Sequence, residues 1–255
     1  MLTYTRIKQY LRDHFMKNIT LSLTLLFTLL ACETKESDII EDQSKIYGIY
    51  SVNIEKGSKR AKGKVVFFES SRQVFNDYVA LRGDSFVEFE NIRMQEVKPW
   101  LGDNVVYENN STSSGHITAT DTFDFYYRNN DGDEFVNTLS LPSFVKINKN
   151  SIKATYTENS TKIQFSWDYT ETNINRDRTK VQAIINTKNS NASSTRNEPI
   201  LTNPVTIIIT KSEEDTFPGT LKSIKLCSFI TEKADGLNRN NEKTSTFCDD
   251  KILFD

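Results

Sequence analysis

Histidine is almost absent from this chain, which contains only His14 and His116 among its 255 residues. The chain therefore offers few histidines for a catalytic triad or a histidine-rich metal site. No Gly-x-Ser-x-Gly sequence, the mark of a nucleophile elbow, accompanies His116. We interpret His116 as a polar residue at the start of a strand, and a triad with Ser113 or Ser114 is the alternative.

Glycine is also scarce, with nine residues, and no glycine-rich sequence of the kind that holds phosphate is present. Neither a metal nor another cofactor is expected. The chain has 32 basic and 34 acidic residues and a pI near 5.9. This balance argues against a nucleic-acid partner, because such proteins usually carry a strongly basic surface.

No segment of helical length shows the apolar spacing of an amphipathic helix, and the dominant period is two. Ile163 to Tyr169, Tyr50 to Ile54 and Phe123 to Tyr127 alternate large apolar and polar residues, as half-buried strands do. Short strands separated by Asn, Asp, Gly and Ser predict an all-β fold, an antiparallel β-sandwich of immunoglobulin-like architecture. The Cys-Trp-Cys order of antibody domains is absent, because Cys227 and Cys248 both follow Trp167.

Other segments have the composition of strands. They are Lys64 to Phe68, Val74 to Leu81, Phe86 to Phe89, His116 to Thr120, Glu134 to Leu139, Ile152 to Thr157, Val181 to Thr187, Val205 to Thr210 and Leu221 to Ile230.

The segment Asn129 to Glu134 superficially resembles a calcium loop. With Gly132 at the sixth position, Tyr127 replaces the first acidic ligand and Thr138 replaces the bidentate acid. Asp131-Gly132 between two strand-like segments instead predicts a hairpin turn.

Two further features could carry function. Trp100, between Pro99 and Gly102, is a large aromatic residue in a turn, and it is our ligand-binding candidate. The alternative is that Trp100 closes one end of the core. Carboxylate catalysis stays open as well, because sequence does not show which acids face each other.

The N-terminal region carries a more specific signal. The apolar segment Ile19 to Leu30 has 12 residues, including four Thr or Ser, which is shorter than the roughly 20 residues of a spanning helix. It ends in Leu29-Leu30-Ala31-Cys32, which resembles the lipobox of bacterial lipoprotein precursors. That resemblance implies a cleaved signal peptide and acylation (including palmitate) at Cys32, which together give a stable membrane anchor. The ordinary secretory signal is the alternative.

The resemblance also sets the expected organisation. Residues 1-31 would be the signal peptide, with the true start at Met16 as an alternative, and the polar residues 32-45 a lipidated flexible tether. A β-sandwich domain would occupy 46-172. Residues 178-255 would form a smaller β domain or complete the same sandwich, and the remaining 28 basic and 33 acidic residues of the mature chain give a net charge of −5.

Once Cys32 is assigned to lipid by this resemblance, Cys227 and Cys248 are left as an even pair. A disulfide between them fits an exported protein, and two buried reduced thiols are the alternative.

Asp77 to Asp84 and Leu139 to Phe144 resemble segments of uncharacterised bacterial β-sandwich lipoproteins, which carry no known activity. We therefore expect a cell-envelope lipoprotein whose ectodomain is a binding or structural module and not an enzyme, with an envelope protein or glycan as partner. Glu33 after Cys32 favours the outer membrane in that family, without deciding which face. The alternative is a carboxylate-dependent envelope hydrolase.

Overall fold

A computed structural model of the protein describes residues 34–70, 77–98, 104–111, 116–157, 160–170, 175–187, 194–196, 203–210 and 219–254. The described residues form strands, loops and three single 3-10 turns, at Ser37–Ile39, Gln43–Lys45 and Lys149–Ser151. The all-β class predicted from the sequence is confirmed.

The strands, in chain order, are β1 (Lys35–Glu36), β2 (Ile46–Glu55), β3 (Lys62–Glu69), β4 (Asp77–Ala80), β5 (Phe86–Phe89), β6 (Ile92–Arg93), β7 (Gln95–Val97), β8 (Val106–Asn110), β9 (Thr122–Arg128), β10 (Glu134–Ser140), β11 (Val145–Ile147), β12 (Lys153–Tyr156), β13 (Ser160–Phe165), β14 (Trp167–Tyr169), β15 (Lys180–Thr187), β16 (Ser194–Arg196), β17 (Val205–Thr210), β18 (Leu221–Lys233), β19 (Glu242–Cys248) and β20 (Ile252–Leu253).

The largest sheet has the order β1-β4-β3-β2-β19-β18-β15-β16, with β20 paired to β18, β8 to β3 and β7 to β8. Three smaller sheets have the orders β10-β9-β5-β6, β11-β14 and β12-β13-β17. Strands β15, β18 and β19, which follow the boundary expected between residues 172 and 178, thus share a sheet with β2 and β3.

Nearly all of the pairs are antiparallel, as predicted. Two pairs differ, because β1 runs parallel to β4 and β19 runs parallel to β2. The β2–β19 pair joins chain segments almost 200 residues apart, so a long connection through the other sheets brings them side by side.

The alternating residues predicted for β2 and β9 face one continuous core. Tyr50 of β2 lies with its ring centroid 5.5 Å from that of Phe125 of β9, and the ring centroid of Phe67 of β3 lies 4.7 Å from that of Tyr127 of β9. These contacts pack the largest sheet against the β10-β9-β5-β6 sheet, which is the layered arrangement of a sandwich. Trp167 is buried, as its alternation predicted.

The segment Ile163 to Tyr169 is not one strand. It breaks at Ser166, whose backbone N–H is hydrogen-bonded to Ser151 Oγ and whose carbonyl accepts from the backbone N–H of Asn148. These bonds redirect the chain from the β12-β13-β17 sheet into the pair with β11. The hydrophobic period continues through the break, so the period alone did not reveal it.

The prediction of a strand at His116 to Thr120 was wrong. Residues 119 and 120 form a turn, in which Asp121 Oδ2 accepts from the backbone N–H of Thr118 and the Asp121 N–H donates to the Thr118 carbonyl. An aspartate side chain that satisfies a nearby N–H stabilises a turn in place of a strand ladder.

The prediction that residues 32-45 form a flexible tether was wrong for the described part, residues 34–45. Ser37, Ile40 and Gln43 are buried. Ser37 Oγ accepts from the backbone N–H of Arg82 at 2.8 Å, and Gln43 Nε2 donates to the carbonyls of Ser37 and Ile40. Polar side chains hold this segment in place, which explains why its low apolar content was misleading.

Candidate functional site

Two adjoining concavities lie at the end of the large sheet where β2 and β19 terminate. Lys56, which follows β2, lines both of them. The larger has a volume of about 560 Å³ and a polar lining, and the smaller about 220 Å³ and a more apolar lining. We call the two together the Lys56 furrow.

The polar half of the furrow is built on β11 and the turn that follows it. Its polar lining residues are Lys56, Lys146, Asn148, Lys149, Asn150 and Asp168. The turn is fixed by its own side chains, because Asn148 Oδ1 accepts from the Asn150 N–H and Ser151 Oγ donates to the Asn148 carbonyl.

The charge of the polar half comes from lysines. Lys146 and Lys149 are exposed and form no ion pair within the described residues, whereas Asp168 lies directly across from Lys146 in the β11–β14 register. Lys56 is already paired with Asp249 and Asp250, so the positive charge that remains comes from Lys146 and Lys149, which face one lining aspartate. These two lysines make the polar half a region where a negatively charged group would be favoured, in a chain that is acidic overall.

The apolar half continues along the same strand. Phe144 and Phe247 form its floor, with ring centroids 3.9 Å apart and an interplanar angle of 11°. Val145 and Ile117 complete the apolar wall, and His116 lies exposed at the rim. A ligand with an apolar portion next to an acidic group would match both halves.

Asp249 joins the parts of the furrow. Its Oδ1 lies 2.7 Å from Lys56 Nζ, and its Oδ2 accepts from the backbone N–H of Ile147 at 3.0 Å. The hydrogen bond to Asp249 raises the pKa of Lys56 above its ordinary value, so Lys56 carries its charge at neutral pH. Glu55, the other acid that lines the apolar half, pairs with Lys225 at 2.8 Å. Both carboxylates thus position lysines.

A disulfide lies directly beside this site. Cys227 of β18 and Cys248 of β19 are bonded and stand opposite each other in the register, with their Cα atoms 4.1 Å apart. The predicted pairing is therefore present. Because Asp249 follows Cys248, the bridge fixes the strand that carries the Asp249 carboxylate.

The structure describes only some of the other residues that were singled out from the sequence. Cys32 and Trp100 lie outside the described residues, as do Ser113 and Ser114. The segment around Asp131 forms the hairpin turn between β9 and β10, with Gly132 at a φ of 86°. Among the described residues, no group of three or more His, Cys, Asp or Glu could hold a metal ion.

Sequence reasoning missed the lysines of the furrow. Lys146 lies within the three-residue strand β11, and Asn148 and Lys149 belong to the short polar segment after it, which is ordinary for a loop. Only the fold brings them beside Lys56, some 90 residues earlier in the chain. The alternation of Lys146 and Ile147 offered a weak signal for β11, but nothing in it indicated which segments would adjoin.

None of the known protein families has a sequence model that matches this chain, and no curated protein matches it either. Over the described residues, no helix is long and apolar enough to cross a membrane.

Proposed function

We propose that this protein is a cell-envelope lipoprotein, anchored through Cys32 in the outer membrane, whose β-sandwich is a binding module. The support for the anchor is the sequence Leu29-Leu30-Ala31-Cys32 after a short apolar segment. The Cys227–Cys248 disulfide is in keeping with an exported protein, since such bonds persist mainly in oxidising compartments.

The observation that carries the binding role is the Lys56 furrow. It combines lysines that have no ion-pair partner among the described residues with an apolar floor, and a buried carboxylate holds Lys56 between the two. Its occupant is a ligand with an acidic group beside an apolar portion, for example the acidic end of an envelope protein segment or of a modified glycan.

Octanoate is a suitable probe, because it joins a carboxylate to a short apolar chain. Two-dimensional NMR of the folded protein should show octanoate shifting the amide signals of Lys146, Lys149 and Phe247. Octanol, which lacks the charge, should bind at least several-fold more weakly.

Charge reversal makes the test specific. The variant Lys146→Glu/Lys149→Glu should lose most of the octanoate response, whereas Lys45→Glu, an exposed lysine at the opposite end of β2, should retain it. Equal binding of octanoate and octanol, or an unchanged response in the double variant, would argue against an acidic ligand in the furrow.

The anchor is tested separately. Intact-mass measurement of the mature protein purified from membranes should show an amino terminus at Cys32 that carries acyl chains. Cys32→Ser should give an uncleaved or soluble precursor. A mature amino terminus at another residue would remove the basis for the proposed location.

A further inference from the structure

Very little chain separates the proposed lipid anchor from the folded domain. Only Glu33 stands between Cys32 and Thr34, the first described residue, and β1 begins at Lys35. Three peptide units span at most about 11 Å. The Lys35 ammonium lies 2.6 Å from the Glu69 carboxylate and 3.0 Å from that of Asp77, so this end of the chain is fixed to β3 and β4.

The register shows at which end of the sheet this happens. Lys35 pairs with Val79 in the parallel direction, so the chain before Lys35 leads toward the start of β4 at Asp77. Asp77 is paired with Glu69, and Glu69 with Ile46, the first residue of β2. We call this the anchor end of the sheet.

The Lys56 furrow lies at the other end. Strand β2 has 10 residues, from Ile46 at the anchor end to Glu55 beside Lys56. At about 3.3 Å per residue it separates the two ends by roughly 30 Å.

Exposed apolar side chains occur at the anchor end. Ile39 is 67% exposed, in a turn that Gln43 ties to the start of β2 through hydrogen bonds to Ser37 and Ile40. Leu237 is 49% exposed, in a loop whose Asn238 donates to the Ser44 carbonyl.

Aromatic rings lie nearby, outside the main core cluster; Phe68 and Tyr78 are half-buried and Tyr47 is buried. The ring centroids of Tyr47 and Phe68 are 5.3 Å apart, and those of Phe68 and Tyr78 are 4.9 Å apart. Tyr78 keeps part of its surface exposed, and a tyrosine suits the boundary between water and lipid, where an apolar ring and a polar hydroxyl are both satisfied.

From these relationships we infer that the anchor end rests on the lipid surface, with Ile39 and Leu237 in contact with the headgroup region and the Lys56 furrow directed away from it. The inference rests on the lipidation of Cys32 in the proposed function. On this inference the domain is held at a defined orientation on the membrane and does not move freely on a flexible tether.

Charge does not attract the anchor end to the membrane, so the contact depends on the exposed apolar side chains. The exposed acids Asp38, Glu41 and Asp42 lie in the segment that would face the bilayer. They would be repelled by anionic headgroups, and the repulsion would weaken in salt. The contact should therefore be closer on vesicles of phosphatidylcholine than on vesicles that contain phosphatidylglycerol.

A matched pair of labels tests the orientation. Leu237→Cys at the anchor end and Leu253→Cys, 69% exposed on β20 at the furrow end of the sheet, can each carry a bimane fluorophore on the full lipidated protein. In phosphatidylcholine vesicles with nitroxide-labelled headgroups, quenching at residue 237 should exceed quenching at residue 253 at least threefold. Equal quenching at the two positions would overturn the inference.

Two more variants show the cause. An insertion of 20 Gly and Ser residues between Glu33 and Thr34 should abolish the difference in quenching. Ile39→Asp should reduce quenching at residue 237, whereas Leu253→Asp, at the opposite end of the sheet, should not change it. Retention of the full difference with the inserted linker would show that the short connection does not set the orientation.

The intact mass of each vesicle-bound sample separates the two proposals. A lipidated protein that shows equal quenching refutes the orientation and leaves the anchor standing. An unmodified Cys32 refutes the anchor and the orientation together.

Discussion

Asp249 fixes Lys56 in place. The Asp249 side chain is 5% exposed, its Oδ1 lies 2.7 Å from Lys56 Nζ, and its other oxygen accepts from the Ile147 N–H. One buried carboxylate thus holds the end of β2 and the edge of β11 at a defined separation. The Lys56 furrow depends on this separation, because its two halves meet at Lys56.

Asp249→Asn should therefore destabilise the fold. The amide keeps an oxygen for Ile147 but loses the charge that binds Lys56, and we expect a loss of about 1–3 kcal/mol in the free energy of unfolding, measured by urea denaturation. Asp250→Asn is the matched control, since Asp250 also contacts Lys56, at 3.1 Å, but is 60% exposed. The control should lose no more than about 0.5 kcal/mol. Similar losses in both variants would contradict the anchoring role of Asp249.

The disulfide should contribute substantially to stability. Cys227→Ala/Cys248→Ala removes a bridge that closes a 21-residue separation, and a loop of that size corresponds to about 3 kcal/mol in the chain-entropy model. The midpoint of urea unfolding should fall accordingly. Thiol alkylation of protein isolated from cells, under denaturing and non-reducing conditions, should label neither cysteine. Free labelling of both would show that the bridge does not form in the cell.

The alternation of side chains predicted the strands well, because it reflects a local requirement. A half-buried strand must point every second residue to the core, so Tyr50 in β2 and Phe125 in β9 could be assigned from the sequence. The break at Ser166 could not, since it depends on hydrogen bonds to Ser151 and Asn148 in another loop.

Residues 34–45 illustrate a different limit. Composition correctly identified them as polar, but Ser37 and Gln43 are buried because their partners lie at Arg82 and within the segment itself. The furrow could not be predicted for a similar reason. Its lysines come from separate elements, and only long-range pairing brings these elements together. The Cys227–Cys248 pair was predictable because a single pairing remained once Cys32 was assigned to lipid.

The packed segment before β2 should matter to folding. Gln43→Ala removes a buried amide that donates to the carbonyls of Ser37 and Ile40 at 2.9 and 2.6 Å. Leaving those carbonyls without a partner should cost about 1–3 kcal/mol, measured by chemical denaturation. Ser44→Ala, at an exposed neighbouring position, should change stability by less than about 0.5 kcal/mol. If Gln43→Ala proved neutral, these residues would behave as a tether after all.

Alkaline pH should unfold the protein through its buried tyrosines. The hydroxyls of Tyr50 and Tyr127 are buried and have no hydrogen-bond partner among the described residues. Burial raises the pKa of both phenols well above the ordinary value near 10. In the unfolded chain they ionise near pH 10, whereas the folded protein keeps them neutral. Their contribution to stability is therefore full below pH 10 and is lost as the pH rises above it.

Each of these tyrosines should cost about 1.4 kcal/mol of stability per pH unit above pH 10, until its own folded-state pKa is reached. Urea denaturation between pH 8 and 11 measures this slope. Tyr50→Phe should remove about half of the slope that the two tyrosines produce together. Below pH 9 the same variant should be at least as stable as the natural protein, because it removes a buried hydroxyl without a partner. A substantial loss of stability in Tyr50→Phe at neutral pH would instead show that the hydroxyl binds an internal group, such as a buried water molecule.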